Sequence, residues 1–330
     1  MNEMKVLSLC DGMSCGRIAF EKLGVTFGNT SERESNQYFA SEIKQEAIDC
    51  SRTNFPDIIQ IGDVKKVYYK DNILYTENGN FNVKFDIVMF GSPCQSFSRA
   101  MKTKGRIGLE DDMRSGIFLE CKRILDEVNP KYFLMENVIM KQEDKDIITE
   151  MLGVEPIRIN SSLVSAQLRD RLYWTNIPNV TIPEDRRILL QDILTEGYTE
   201  KSKSRCLMCC DSHGYYNGCN WNAPARFHRE HNKAFSTMIY PNKESYEKCI
   251  EKSNEILQGR KSRAEYFNSY QGHEFDCMRY LNKIERARLQ TVPEKYVECL
   301  NEKDAANLLG DGWTVDVISH ILSFIPEIKN

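Results

Sequence analysis

Over the first 150 residues, short unbroken apolar runs alternate with stretches whose apolar positions recur every three or four residues. KVLSLC is followed by GRIAFEKLG, YFASEI by KQEAIDCSRTNF, FDIVMF by SGIFLECKRILDEV, and KYFLMENV by DKDIITEML. The first member of each pair reads as a strand and the second as an amphipathic helix, which is βαβ organisation. Runs with no polar alternation, FDIVMF and YFLM above all, suit strands covered on both faces. The predicted fold class is α/β: a mixed, mostly parallel sheet with helices on both faces. Gly24 marks the end of the first helix, and Asn129 with Pro130 the end of the third.

The pattern changes after Ile177. From there to Met278 the chain is polar, irregular and rich in Asn, Ser, Tyr and Lys, before helical spacing returns in NKIERARLQ and WTVDVISHILSF. The simplest organisation is one α/β domain interrupted by a smaller, loop-rich insertion, with expected segments 1–178, 179–277 and 278–330.

Composition narrows the picture modestly. A chain of 330 residues is long enough for one large domain with an insertion. Its 44 basic and 48 acidic residues give a net charge of −4, which neither advertises a nucleic-acid partner nor excludes one, because binding depends on local basic faces. Twelve cysteines are many, but MNEMKVLSLCDG lacks the apolar core of a signal peptide, and no apolar stretch reaches bilayer length. The expectation is a soluble cytoplasmic protein with reduced thiols and no membrane partner.

Candidate chemistry collects at the predicted strand ends, where open α/β sheets bind their ligands. LSLCDGMSCG is a strand, a small-residue turn and a helix start, suited to close backbone approach by a nucleotide-like ligand, although it is not the dinucleotide GxGxxG. Glu42 ends the second strand, where a carboxylate accepts ribose hydroxyls, and Asp63 ends the third, where it accepts from an adenine amino group. Either acid also reads as a solvated strand terminus or a helix cap. Cys94 follows the fourth strand in GSPCQS, with Pro93 fixing the backbone before it and Gly91 permitting close approach. A free thiol, with a pKa near ~8.5, needs help from its site to act as a thiolate. Glu136, in LMENV, ends the next strand. A thiol beside a carboxyl invites addition to an electron-poor ring while the acid engages a ring nitrogen.

At this point the chain resembles the DNA cytosine carbon-5 methyltransferases, with motifs in that family's order along nearly its whole length. LSLCDGMSCG, SEI and GDV look like the three cofactor motifs, GSPCQS the nucleophile motif and MENV the glutamate motif. QLRDR, residues 167–171, matches QxRxR, RYLNKIERARLQTVPE the motif after the variable region, and LLGDGWTVDVISHIL the closing one. The first and last resemble the vertebrate de novo enzymes, while the compact length looks bacterial or viral.

The resemblance implies a Rossmann-like S-adenosylmethionine-dependent methyltransferase fold, with 179–277 as the target-recognition domain. It implies a cofactor site drawn from Cys10, Asp11, Gly12, Cys15 and Gly16, from Glu42 and Ile43, and from Asp63 and Val64. Ser92, Pro93, Trp313 and Thr314 complete that site. Cys94 would add to carbon 6 of a cytosine flipped out of duplex DNA, and Glu136 would hold ring nitrogen 3 and the exocyclic amine. Arg171 would hold the carbonyl oxygen, with Arg169 and Gln167 supporting the pocket or loop. SRAMKTKGRIGLED, with Arg99, Lys102, Lys104 and Arg106, would close over the base; a solvated basic loop is the alternative. Arg226, His228, Arg229, His231, Lys233 and Tyr240 are candidate groove and backbone contacts. A cognate restriction enzyme is a further expected partner, and a monomer the expected state.

Two features depart from the family pattern. Cys10 stands where most members place an aromatic residue against the adenine, and Asp311 and Gly312 stand where many have Asn-Ser, so weaker cofactor affinity is expected. CLMCCDSHGYYNGC offers Cys206, Cys209, Cys210, His213 and Cys219, but no second CxxC or HxxxH pair completes a zinc site, and free thiols without metal are expected. The competing readings are a transfer-RNA cytosine methyltransferase, whose PP before CQ and CFT tripeptide are missing here, and a silent DNA-binding relative, which should have lost Cys94 or Glu136. An amino-methyltransferase would show an NPPY-like tetrapeptide in place of SPCQ, and transfer of a group other than methyl would show only in the mass of the product.

Overall fold

Five strands run side by side in parallel, each followed by a return across the sheet: β1 (Lys5–Leu9), β2 (Gln37–Ser41), β3 (Ile59–Gln60), β7 (Ile87–Phe90) and β8 (Tyr132–Val138). The structure is a computed structural model and describes residues 3–28, 36–92, 115–208, 237–257 and 273–328. The seven-stranded sheet has the order β3-β2-β1-β7-β8-β10-β9, in which β10 (Asp170–Thr175) runs antiparallel to β8 and to β9 (Ile157–Asn160). The mixed, mostly parallel sheet read from the apolar runs is the one observed. Strands β7 and β8 are buried along their whole length, as runs without polar alternation require.

The two faces have different covers. Leu7, Leu9, Phe39, Val88, Phe90, Phe133 and Met135 join one core cluster with Phe118, Cys121 and Ile124 of α3 (Ser115–Val128) and Ile148 and Leu152 of α4 (Gln142–Leu152). α1 (Cys15–Lys22) lies over the alternate residues Tyr38 and Met89, and packs on the final helix Val315–Leu322, where Ser319 donates to the Ala19 carbonyl at 3.1 Å. α2 (Gln45–Asn54) follows β2, and α4 ends at Gly153, whose φ of 70° suits a left-handed cap. A three-stranded antiparallel meander, β4 (Tyr68–Lys70), β5 (Ile73–Thr76) and β6 (Gly79–Asn82), sits between β3 and β7 in the chain. It adds Tyr69 and Leu74 to the same cluster as α3.

Contacts divide the chain into two compact units: 1–160 with 170–184 and 312–330, and 161–169 with 185–311. These bounds differ from the expected segments, because 278–311 packs within the second unit. Glu285 in the helix Lys283–Leu289 is one tie within that unit: its fully buried carboxylate binds Arg279 and both the N–H and the hydroxyl of Thr195. The second unit has its own core of Met238, Tyr240, Cys249, Phe275 and Met278. It is less irregular than its composition suggests, since Lys243–Leu257 forms a helix whose Tyr246, Cys249, Ile250 and Ser253 share the inward face. Among the described residues no helix is long and apolar enough to cross a membrane.

Candidate active site

Register places one row of residues across the carboxyl edge of the sheet. Ser41 pairs with Leu9, Leu9 with Phe90, and Phe90 with Met135, so Glu42, Cys10, Gly91 and Glu136 each stand one residue beyond that row. Four adjacent strands span about 14 Å at the usual strand spacing. The chain leaves β1 toward β2 on one side and returns as β7 on the other, and this reversal is where open α/β sheets hold ligands.

At the β1 end the turn into α1 is strained in a specific way. Cys10, Gly12 and Ser14 all have positive φ, near 53°, 59° and 57°, which costs a non-glycine residue about 1–2 kcal/mol. The turn is held from beneath by Asp11. Its carboxylate accepts from the Ser14 hydroxyl at 2.5 Å and from the Tyr38 hydroxyl at 2.7 Å. Ser14 and Ser51 lie 2.8 Å apart, and because a hydroxyl carries one hydrogen, Ser14 donates to Asp11 and accepts from Ser51. Burial pushes the Asp11 carboxyl up to about 6; the hydroxyl donors pull it down and the charge of Glu42 adds to the rise. Burial, then the charge of Asp11, pushes the Tyr38 phenol well above its ordinary value. Tyr38, Ser14 and Ser51 escaped the sequence reading, although Tyr38 places a hydroxyl on a strand whose last four residues are buried.

Glu42 is tied to the same turn. One oxygen accepts from the Gly12 N–H at 2.7 Å, the other from the N–H groups of Ile43 and Lys44 at 2.8 and 2.9 Å. A carboxylate has about four acceptor sites, so capacity remains for a hydroxyl donor. Ile43 is 72% exposed, an apolar side chain beside that carboxylate. Asp63 accepts from the Lys65 N–H at 3.0 Å as the cap of a short 3₁₀ turn, and the Val64 side chain points into the core rather than the crevice. Cys15 is buried, and Thr314 is buried as the cap of the final helix.

Glu136 is the centre of the other half. It is 8% exposed, its Oε1 meets Arg171 Nε at 2.9 Å and its Oε2 accepts from Trp313 Nε1 at 3.2 Å. The Arg171 contact follows from the antiparallel register: Tyr173 faces Glu136, so Arg171 is the diagonal neighbour, within reach of a long side chain. Arg171 also donates to the Asp170 carbonyl at 2.9 Å. Asn137, likewise missed, donates from Nδ2 to the buried Ser92 hydroxyl at 3.2 Å and so fastens the ends of β7 and β8.

The QLRDR motif is divided between the two units. In the second, Gln167 Nε2 donates to the Leu289 carbonyl while its Oε1 accepts from the Leu207 N–H at 2.8 Å. Arg169, 3% exposed, donates to the carbonyls of Leu207 and Gly310 and to the Cys206 sulfur. Both hold backbone. Tyr240, expected among the DNA contacts, is instead 4% exposed and packs edge-on against Tyr246 in that unit's core; it follows the short strand Met238–Ile239, and its backbone exchanges hydrogen bonds of 2.7 and 3.0 Å with Tyr198. Pro93, Cys94, Arg99, Lys102, Lys104, Arg106, Cys209, Cys210, His213, Cys219, Arg226, His228, Arg229, His231 and Lys233 lie outside the described residues.

The crevice fits a nucleoside-bearing cofactor. Three neighbouring strand ends carry Asp11, Glu42 and Asp63, a positive-φ turn exposes backbone, and Glu42 keeps acceptor capacity beside the exposed Ile43.

Comparison with known proteins gives first the class. The Entamoeba histolytica methyltransferase EhMeth has this fold, with a TM-score of 0.64 at 13% identity over 100% of both chains. The Type II methyltransferases M.NgoBV of Neisseria gonorrhoeae and M.NlaIV of Neisseria lactamica are 30% and 36% identical over 61% of this chain and 49% of their own lengths, so the chain spans about half the length of the curated relatives it matches. The profile of the C-5 cytosine-specific DNA methylases matches residues 4–327, and the chain belongs to that family. S-adenosylmethionine is the methyl donor of the family.

Proposed function

We propose that this chain methylates carbon 5 of a cytosine flipped out of duplex DNA, with Cys94 as nucleophile and Glu136 as the group that activates the ring. The observation that carries the reading is the row at the carboxyl edge: Gly91, three residues before Cys94, lies level with Glu136 and next to the cofactor turn. S-adenosylmethionine, held by the Cys10–Gly16 turn, Glu42 and the Asp63 region, supplies an electrophilic methyl group. Cytosine carbon 5 is a poor nucleophile within an aromatic ring. Addition of the Cys94 thiolate to carbon 6 makes carbon 5 enamine-like, and Glu136 holds a proton at ring nitrogen 3 where charge develops. Arg171, whose Nε meets that carboxylate at 2.9 Å, takes the cytosine carbonyl oxygen in this reading. Loss of the carbon-5 proton and expulsion of the thiolate end the cycle.

The flipped base costs a few kcal/mol of stacking and pairing, which contacts from the basic segment 98–111 and from 179–277 would offset. M.NgoBV and M.NlaIV are Type II methyltransferases, which supports duplex DNA as substrate and a cognate restriction enzyme as partner; a monomer acting in the cytoplasm is part of the same proposal. The test is incubation of the protein with methyl-labelled S-adenosylmethionine and either mixed-sequence duplex DNA or transfer RNA, followed by nucleoside mass analysis and bisulfite sequencing. Label in 5-methyldeoxycytidine is the expected result. Label in RNA alone would move the reading to the transfer-RNA branch, and label in neither would leave a silent DNA-binding relative.

A further inference from the structure

Trp313 joins the two halves of the site. Its indole N–H donates to Glu136 Oε2 at 3.2 Å, and the ring is only 8% exposed. Two glycines make room for it. A Cβ at Gly91 would stand 2.7 Å from the indole nitrogen and 3.3 Å from Glu136 Oε2, and a Cβ at Gly16 would stand 3.5 Å from Trp313 Cζ3. The indole is thus wedged between the start of α1 and the end of β7, and its orientation is not free. Glu136 Oε1 is meanwhile held by Arg171 Nε at 2.9 Å. With a separate donor on each oxygen, the plane of the carboxylate is fixed about its last torsion, which is broad and nearly unrestrained when a glutamate is left alone.

Resting on the methyltransferase reading, we propose that Trp313 is a positioning residue for Glu136: its N–H sets the carboxylate plane in which the acid meets the edge of the cytosine ring. A carboxyl group that must face ring nitrogen 3 and the neighbouring amine at once tolerates little rotation, so the anchor on the second oxygen acts on ring activation. The cofactor region and the ring-activating acid therefore share one side chain. Gly91 belongs to the same device, since any larger residue there would drive the indole off the carboxylate.

The partial reaction that isolates this role needs no methyl donor. Thiolate addition to carbon 6, uptake of a solvent deuteron at carbon 5, loss of the original proton and expulsion of the thiolate exchange the carbon-5 hydrogen with no net change. Exchange into duplex DNA without cofactor is measured for the wild type, for Trp313→Phe, and for protein carrying β-(3-benzothienyl)alanine at position 313, which keeps the bicycle and replaces the N–H by sulfur. Both variants are expected to lose about 10- to 100-fold in exchange rate, the range for one hydrogen bond to a charged group, while the KM for DNA stays near the wild-type value. A Trp313 that served only to contact the cofactor would leave exchange unmoved. An exchanging wild type with both variants within about threefold of it would overturn the proposal alone. A wild type that neither exchanges nor methylates would remove the parent reading and this one with it, and should the phenylalanine variant not fold, the isosteric one decides.

Discussion

Asp11 shows how one buried group can set both the shape and the acid response of a site. Its carboxylate braces a turn with positive φ at Cys10, Gly12 and Ser14, through hydroxyls that reach it from the turn itself and from β2. Burial raises it from 3.8 to about 6, so the folded protein binds its proton more tightly than the unfolded chain does. Its contribution to stability is thus fully present below its unfolded value and is lost as pH rises through about 6, at most ~3 kcal/mol in all. Asp11→Asn removes this titration. Denaturant unfolding of the cofactor-free protein from about pH 4 to about pH 6 should show the wild type losing stability with pH faster than the variant, and parallel curves would contradict the assignment. Asp11 was legible in the sequence because it sits in a recognisable motif, whereas Tyr38 and Ser51 were not, since only the β1–β2 register and the seat of α2 bring them to it. Glu42 and Asp63 were read for ligand hydroxyls and amines. Both also cap backbone N–H groups, the alternative that strand-end acids always carry.

At the scale of elements, α1 lies so close to the sheet that its second residue must be glycine. A Cβ at Gly16 would come 2.7 Å from Met89 Cε and 2.8 Å from the Tyr38 hydroxyl. Met89 can give way; Tyr38 cannot, because Asp11 holds it. Glycine to alanine inside a helix ordinarily gains up to about 1 kcal/mol, but overpacking here should reverse the sign and cost about 1–3 kcal/mol. Combining Gly16→Ala with Tyr38→Phe should recover part of that loss, and a double-mutant cycle showing strict additivity would mean the two do not meet. The alternation of apolar runs and helical spacing made β1, β2, β7, β8 and α1 to α4 readable. The meander β4–β6 was passed over, although Asp71 and Asn72, both with φ above 50°, are residues that tolerate a tight hairpin turn. The helix Lys243–Leu257 was hidden by its charge: seven of its fifteen residues are Lys or Glu, and among its described side chains Tyr246, Cys249, Ile250 and Ser253 mark its inward face.

For the molecule as a whole, the chain order of the motifs was legible and the packing of its segments was not, because contacts such as Glu285 with Thr195 join residues 90 positions apart. Burial alone would raise the Glu285 carboxyl, but donors from Arg279 and from the Thr195 and Asn282 N–H groups outweigh it and hold it low. Its stabilisation is present above the ordinary carboxylate value and lost as pH falls through the lowered one. Glu285→Gln should therefore cost the second unit about 2–4 kcal/mol at neutral pH. Amide exchange should quicken in Lys283–Leu289 and around Thr195 while β7 and β8 keep their protection; equal acceleration everywhere would contradict an effect confined to that unit. The reaction itself is tested most directly by trapping. Duplex DNA bearing 5-fluorocytosine has no carbon-5 proton to release, so with S-adenosylmethionine present the cycle should stall on the enzyme. The account predicts a denaturation-resistant complex whose added mass maps by peptide analysis to Cys94 and which Cys94→Ala does not form. A methylating protein with no such complex, or with the adduct on another residue, would contradict it.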